Sequence, residues 1–243
     1  MSDAPLSFTI GLIVVLLLSL SWHEAAHAWV ADRLGDPTAR RLGRVTLNPI
    51  RHMDLFLSVL MPLMLYLAGA PVFGGGKPVP IDVRNFRHRA RDFMLVAVAG
   101  PFSNLILVGV FGLLYVGCVG AGYLQDTIPN PFGPATPYLP SIFFPEERSP
   151  VRFWLQSGMQ INILLALFNL IPVPPLDGSR IIGWLLPRPL QPYWYGIDRL
   201  GIFLVLGMVV ALQTWGAEYI VTTMITVWDR VATVVDTLAA AVA

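Results

Sequence analysis

Residues 6–30 read LSFTIGLIVVLLLSLSWHEAAHAWV, an apolar run whose only ionisable side chains, His23, Glu24 and His27, sit near its end. About 20 apolar residues suffice for a helix to cross a bilayer. The first basic residue is Arg33, and Asp3 stands where a signal peptide would carry positive charge. The run is also too long for a signal-peptide core, so we read it as a retained transmembrane helix.

The composition extends this reading to the whole chain. Of 243 residues, 55% are hydrophobic and 13% charged, against ~25% charged in soluble domains. Mean hydropathy is +0.65. A soluble globule of this size needs a polar shell that these residues cannot supply, and a disordered chain would be far more polar. Sixteen basic against 15 acidic residues leave a net charge of +1, which excludes nucleic acid as a partner. The single Cys118 excludes an internal disulfide and a cysteine zinc cluster. The expected fold class is an all-α polytopic membrane protein, one domain over 1–243, with about five to six transmembrane helices.

Further apolar runs cover 55–70, 93–124, 153–172, 202–215 and 219–235. The run 55–70 is short, interrupted by Pro62, and leads into Pro71-Val72-Phe73-Gly74-Gly75-Gly76-Lys77-Pro78-Val79-Pro80. Those glycines and prolines exclude a helix. At membrane depth such backbone survives only buried in protein or lining a wet cavity. We therefore expect a re-entrant or interfacial extended hairpin, with an ordinary surface loop as the alternative. The run 93–124 opens with Ala97, Ala99, Gly100, Pro101 and Ser103, small residues that let helix backbones approach closely in lipid. Residues 125–150 are proline-rich and read as an extramembrane loop.

Ten of the 16 basic residues lie between Arg33 and Arg91, whereas 125–150 holds only Arg148. The positive-inside rule places 32–54 and 84–92 in the cytoplasm and 125–150 outside. The first helix then runs inward, with His23, Glu24 and His27 towards the cytoplasmic side.

His23-Glu24-Ala25-Ala26-His27 puts two imidazoles one turn apart on one helical face, where they can converge on a metal with Glu24 beside them. Ionisable residues at membrane depth cost several kcal/mol unless paired or bound. A polar cluster snorkelling to water at the helix end is the plainer alternative. A catalytic zinc needs a third protein ligand and an open position. His52, Asp54 and His88 lie among basic residues; Asp177 follows Pro172, Pro174 and Pro175 and precedes Gly178, which permits a close backbone approach. By itself Asp177 would serve as a cap for a short helix 178–186. Beside a two-histidine helix lacking a ligand, the metal role is preferred. Asn104, early in the third apolar run, either bonds a neighbouring helix or points at the reaction.

With these residues in hand, the chain resembles the site-2 protease family (peptidase M50) of intramembrane zinc metalloproteases, over most of its length. His23-Glu24-x-x-His27 matches the family's first motif, and 169–178, ending Leu176-Asp177-Gly178, resembles its second. Thr46-Leu47-Asn48-Pro49-Ile50-Arg51-His52, Gly76-Lys77-Pro78-Val79-Pro80 and Ala99-Gly100-Pro101-x-x-Asn104 look like its compact bacterial branch. The resemblance implies one zinc held by His23, His27 and Asp177, Glu24 as general base, and Asn104 near the scissile carbonyl. It implies a bacterial inner-membrane protease whose partners are the bilayer and a transmembrane protein or peptide substrate. Relatives carry PDZ or CBS domains, or a span before the His-Glu helix; nothing in 1–243 reads as any of these. The oligomeric state is left open. The rival expectation is a non-catalytic membrane protein, either a metal or proton transporter or an inactive relative acting as a binding partner. Transporters usually spread polar residues over several spans, often with a repeat; here they converge and no repeat is visible.

Sidedness is directly testable. With Cys118 replaced, a cysteine introduced at Ser141 should react with impermeant reagents only from outside, and one at Arg87 only from the cytoplasm. The opposite pattern would invert the topology.

Overall fold

The computed structural model describes residues 6–54, 60, 64, 75–124, 150–211 and 217–242. Most of the run 55–70, the first part of the expected hairpin (71–74) and the expected loop up to residue 149 lie outside the described residues. Among the described residues every regular element is helical.

Helix α1 spans Leu6–Arg33. It stops where Gly35 adopts φ +110°, with Asp36 N–H bonding the Ala31 carbonyl and Gly35 N–H that of Asp32. This paired closure needs a left-handed residue, which glycine supplies without strain. Two single-turn helices follow, α2 (Thr38–Arg41) and α3 (Pro49–His52), neither visible as an apolar period. The long helix α4 runs from Arg89 to Gly120. It starts four residues before its apolar run because the Asp92 carboxylate accepts the His88 N–H at 2.8 Å, a favourable place for a negative charge. Helix α5 (Pro150–Asn169) opens on a proline, which forfeits no intrahelical bond in the first turn. Prolines 172, 174 and 175 stop it. Helices α6 (Asp177–Leu185), α7 (Gln191–Gly196), α8 (Gly201–Ala211) and α9 (Ala217–Ala240) complete the order, with a 3-10 turn, Ile197–Leu200, before α8. Two segments, Ile10–Arg33 and Arg89–Gly120, are long and apolar enough to cross a membrane, with mean hydropathies of 1.5 and 2.1.

The chain divides into two compact units. One comprises Met1–Ser19, Leu105–Leu164 and Ala217–Ala243. Within it small residues admit large neighbours: a Cβ on Gly158 would lie 2.6 Å from the Phe111 ring, and one on Gly112 3.1 Å from Val235. Asn162 is fully buried and donates to Ser19 Oγ at 2.9 Å and to the Gly158 carbonyl at 2.8 Å. An amide among apolar helices is stable only when its donors are used in this way.

The other unit comprises Leu20–Asn104 and Leu165–Gly216. Ala31, Phe86 and Val96 form its core, with Leu34, Ile81 and Phe93 packed around them. Its polar staple is Asp36, fully buried just beyond α1. The Asp36 carboxylate accepts from the Thr38 N–H and hydroxyl, from Asp82 N–H at 2.7 Å and from the Asn85 amide at 2.8 Å. Burial alone would raise its pKa, but these donors outweigh burial and hold it below the ordinary carboxylate value.

A carboxyl with a depressed folded pKa contributes stability above its unfolded pKa, near 4, and loses it as pH falls through the folded value. Asp36→Ala removes the shared acceptor of the half-buried Thr38 and Asp82 and of exposed Asn85, bonds that contribute about 0.5–1.5 kcal/mol each. The thermal midpoint of purified Asp36→Ala should therefore lie several degrees below the parent at neutral pH. The difference should narrow in acid below pH ~4; a pH-independent gap would mean the charge contributes nothing.

Candidate metal centre

The site is built where α1 and α4 run side by side within the second unit. His23 and His27 on α1 face Val96, Gly100 and Asn104 on α4, both sets at four-residue spacing. The His27 Nδ1–H donates to the Val96 carbonyl at 2.7 Å, and Nδ1 of His23 lies 2.6 Å from Asn104 Oδ1. A carbonyl only accepts, so His27 carries its proton on Nδ1, and the amide oxygen imposes the same on His23. Both Nε2 lone pairs are thereby left facing inward, 3.0 Å apart.

Between those two contacts lies Gly100. A Cβ there would sit 2.4 Å from His27 Nε2 and 2.5 Å from His23 Cε1. The imidazoles occupy the room a side chain would take.

Asp177 arrives from the other segment of the same unit. As expected, Gly178 makes a close backbone approach: a Cβ on it would lie 2.2 Å from the Leu170 carbonyl oxygen. Asp177 is the first residue of α6, and no side-chain capping bond forms at that helix start; its carboxylate turns to the histidines instead. Oδ2 lies 3.2 Å from His23 Nε2 and 3.4 Å from His27 Nε2. It is buried and meets no hydrogen-bond geometry.

Two imidazole lone pairs and a carboxylate oxygen within 4.8 Å of one another repel unless a cation or shared proton sits among them. Two histidines and one carboxylate are a donor set zinc accepts, with a fourth position left for the reaction. The orphaned Oδ2 and the cleared space at Gly100 both fit that occupant.

A cavity of about 460 Å³ opens on these groups. Glu24 lines it with His23, His27 and Asp177, and Gly76, Pro78, Val79 and Ile81 form one wall. Asn104 is fully buried and is not among its lining residues. His52 and His88, weighed as ligands from the sequence, lie elsewhere. His52 is buried with Nε2 2.7 Å from the Thr46 carbonyl, and its own carbonyl accepts the Lys77 N–H at 2.7 Å. Buried Arg44 reaches the carbonyls of Lys77 and Pro78 with Nη2, each at 3.4 Å. The wall is thus held at Lys77–Pro78 by Arg44 and His52, and at Asp82 by Asp36. Among the described residues the N–H groups of Val79 and Ile81 have no partner.

The parts missed from the sequence are Gly100 as the gap for the imidazoles, the Val96 carbonyl, and Arg44 and Asp36 as clamps. The four-residue spacing of Gly100 and Asn104 was a usable signal for a shared face. A backbone carbonyl leaves none.

Comparison with known proteins agrees with this chemistry. The sequence profile of peptidase family M50 matches residues 11–212. A Bacillus subtilis protein provisionally named zinc metalloprotease YwhC is 38% identical over 206 residues, covering 83% of this chain and 82% of that protein. The Mycolicibacterium smegmatis protein provisionally named zinc metalloprotease Rip2 is 26% identical, over 89% of this chain and 74% of its own length. No solved structure matches the chain.

Gly100→Ala should empty the site. The rings are pinned at Nδ1 and cannot yield to a Cβ at 2.4 Å, so the purified protein should lose most of its zinc. Gly109→Ala, on the same helix with nothing within 4 Å of its Cβ, should keep it. Equal zinc in the two proteins would mean the imidazoles do not converge there.

Proposed function

The chain belongs to peptidase family M50, and on that premise we propose that it is an intramembrane zinc metalloprotease hydrolysing peptide bonds in or near transmembrane segments of membrane-protein substrates. The proposal includes about five to six spans in a bacterial inner membrane, with the site towards the cytoplasm. The observation that carries it is the convergence of His23 Nε2, His27 Nε2 and Asp177 Oδ2 on one cavity that also holds Glu24 and a clamped stretch of backbone with unpaired N–H groups.

His23, His27 and Asp177 would hold the metal. A zinc ion there supplies Lewis acidity, which polarises a peptide carbonyl and lets water lose a proton near neutral pH. The Glu24 carboxylate takes that proton and returns it to the leaving amine. The Val96 carbonyl and the Asn104 amide keep both imidazoles protonated on Nδ1, so that Nε2 stays a ligand. We therefore assign Asn104 a positioning role in place of the contact with the scissile carbonyl that the resemblance implies.

A helical substrate hides its carbonyls within its own hydrogen bonds. Val79 and Ile81, two residues apart in an extended stretch held by Pro78 and Pro80, present their N–H groups to the same side. An unwound substrate pairing there as a strand would have its backbone laid beside the cavity.

In proteoliposomes carrying a transmembrane substrate, the parent should cleave and a chelator should stop it. Glu24→Gln should retain zinc while cleavage falls by at least ~10²; activity within a few-fold of the parent would remove Glu24 from the mechanism. Asn104→Leu should weaken zinc retention by about 10–100-fold. If Asn104→Leu keeps zinc as tightly as the parent yet loses cleavage, Asn104 acts on the substrate and the positioning role is wrong.

A further inference from the structure

A second cavity, of about 510 Å³, lies in the same unit, away from the metal centre. His88 and Arg91 line it from the start of α4, and Trp184, Leu186, Arg188 and Gln191 from the end of α6 to the start of α7. Among the described residues no carboxylate lines it. Asp92, beside Arg91 on α4, is buried and already bonded to the His88 N–H and to Arg91 Nε at 3.0 Å and Nη2 at 2.9 Å. About half of the Arg91 side chain remains exposed, with Nη1 uncommitted. Arg188 is exposed and has no ion-pair or hydrogen-bond partner among the described residues; the His88 imidazole makes no hydrogen bond among them and interacts with the Asp92 carboxylate only through space. The Gln191 amide is turned inward, onto the Leu186 carbonyl at 3.0 Å. The start of α4, a 32-residue helix, adds the positive end of its dipole.

We propose that this cavity binds a phosphate group. Arg188, the Nη1 end of the Asp92-paired Arg91 and the His88 imidazole border one open space and form a site for an oxyanion, and the Arg188 fork matches phosphate geometry. The surroundings favour phosphate carried on a lipid. Exposed Trp184 lines the cavity, and exposed Leu185 and Leu190 adjoin its lining residues in the chain, offering apolar surface for acyl chains and an aromatic side chain suited to the headgroup level. Basic pockets at the cytoplasmic ends of spans bind anionic headgroups in this way. The site shares no residue with the metal centre and does not depend on the catalytic reading.

The test uses the full chain reconstituted in phosphatidylcholine alone, in phosphatidylcholine with phosphatidylglycerol, and in phosphatidylcholine with inorganic phosphate. Lipid retained through purification and the thermal midpoint are measured for the parent, Arg188→Gln, His88→Gln/Arg188→Gln and Arg199→Gln. The parent should retain phosphatidylglycerol and melt higher with it than in phosphatidylcholine alone. The double variant should bind it about tenfold more weakly, while Arg199→Gln, whose charge lies outside the cavity, should match the parent. Zinc content reports that the variants fold, and Arg188→Gln alone serves if the double variant loses zinc. If inorganic phosphate raises the parent's midpoint as fully as the lipid, and the Arg188 variants lose that response, the occupant is free phosphate. Equal retention and equal shifts in parent and Arg188 variants overturn the site, as does a parent that responds to neither phosphatidylglycerol nor phosphate.

Discussion

The absence of a side chain at Gly100 lets two ring systems and a carboxylate share one point between helices. A methyl group there would lie within 2.5 Å of both imidazoles, so α1 and α4 could not keep their approach and still point His23 and His27 inward. The same closeness brings Val96 and Asn104 within bonding distance of the two Nδ1 atoms. Ligand direction, protonation state and helix approach therefore come from one geometric fact. Ala28 and Ala31, both fully buried on α1, keep that helix slim towards its end, as close packing in an apolar medium demands.

Apolar surroundings make this arrangement consequential. In water a histidine pair and a carboxylate would each be solvated and indifferent to one another. Buried among helices they must be compensated by a cation or by each other. Membership of peptidase family M50 and the orphaned Asp177 oxygen point to the same compensation.

Two clamps give the candidate metal site a wall of fixed backbone. Arg44 and His52 hold the stretch at Lys77 and Pro78, and Asp36 holds it at Asp82. The prolines remove two N–H groups, and those of Val79 and Ile81 have no partner among the described residues. A mobile loop would lose entropy on pairing with a substrate; a stretch already held extended loses far less.

Much of this was legible in the amino-acid order. The apolar runs 6–30, 93–124 and 153–172 and a short helix near 178–186 are readable from the sequence, and helices stand there at Leu6–Arg33, Arg89–Gly120, Pro150–Asn169 and Asp177–Leu185, with ends shifted by a few residues. The pair His23 and His27 follows from helical period, and Asp177 from its place between prolines and a glycine. These are short-range facts, set by residues within a turn or two of each other. The rest needed the chain folded. That His23 and His27 share a tautomer depends on a carbonyl and an amide more than 60 residues away. That Gly100 is a gap rather than a flexible point depends on what fills it. That Arg44 and Asp36 serve the cavity depends on loops meeting across 33 and 46 residues. A carbonyl oxygen and an empty volume have no letter in a sequence; only packing decides which ones face a site.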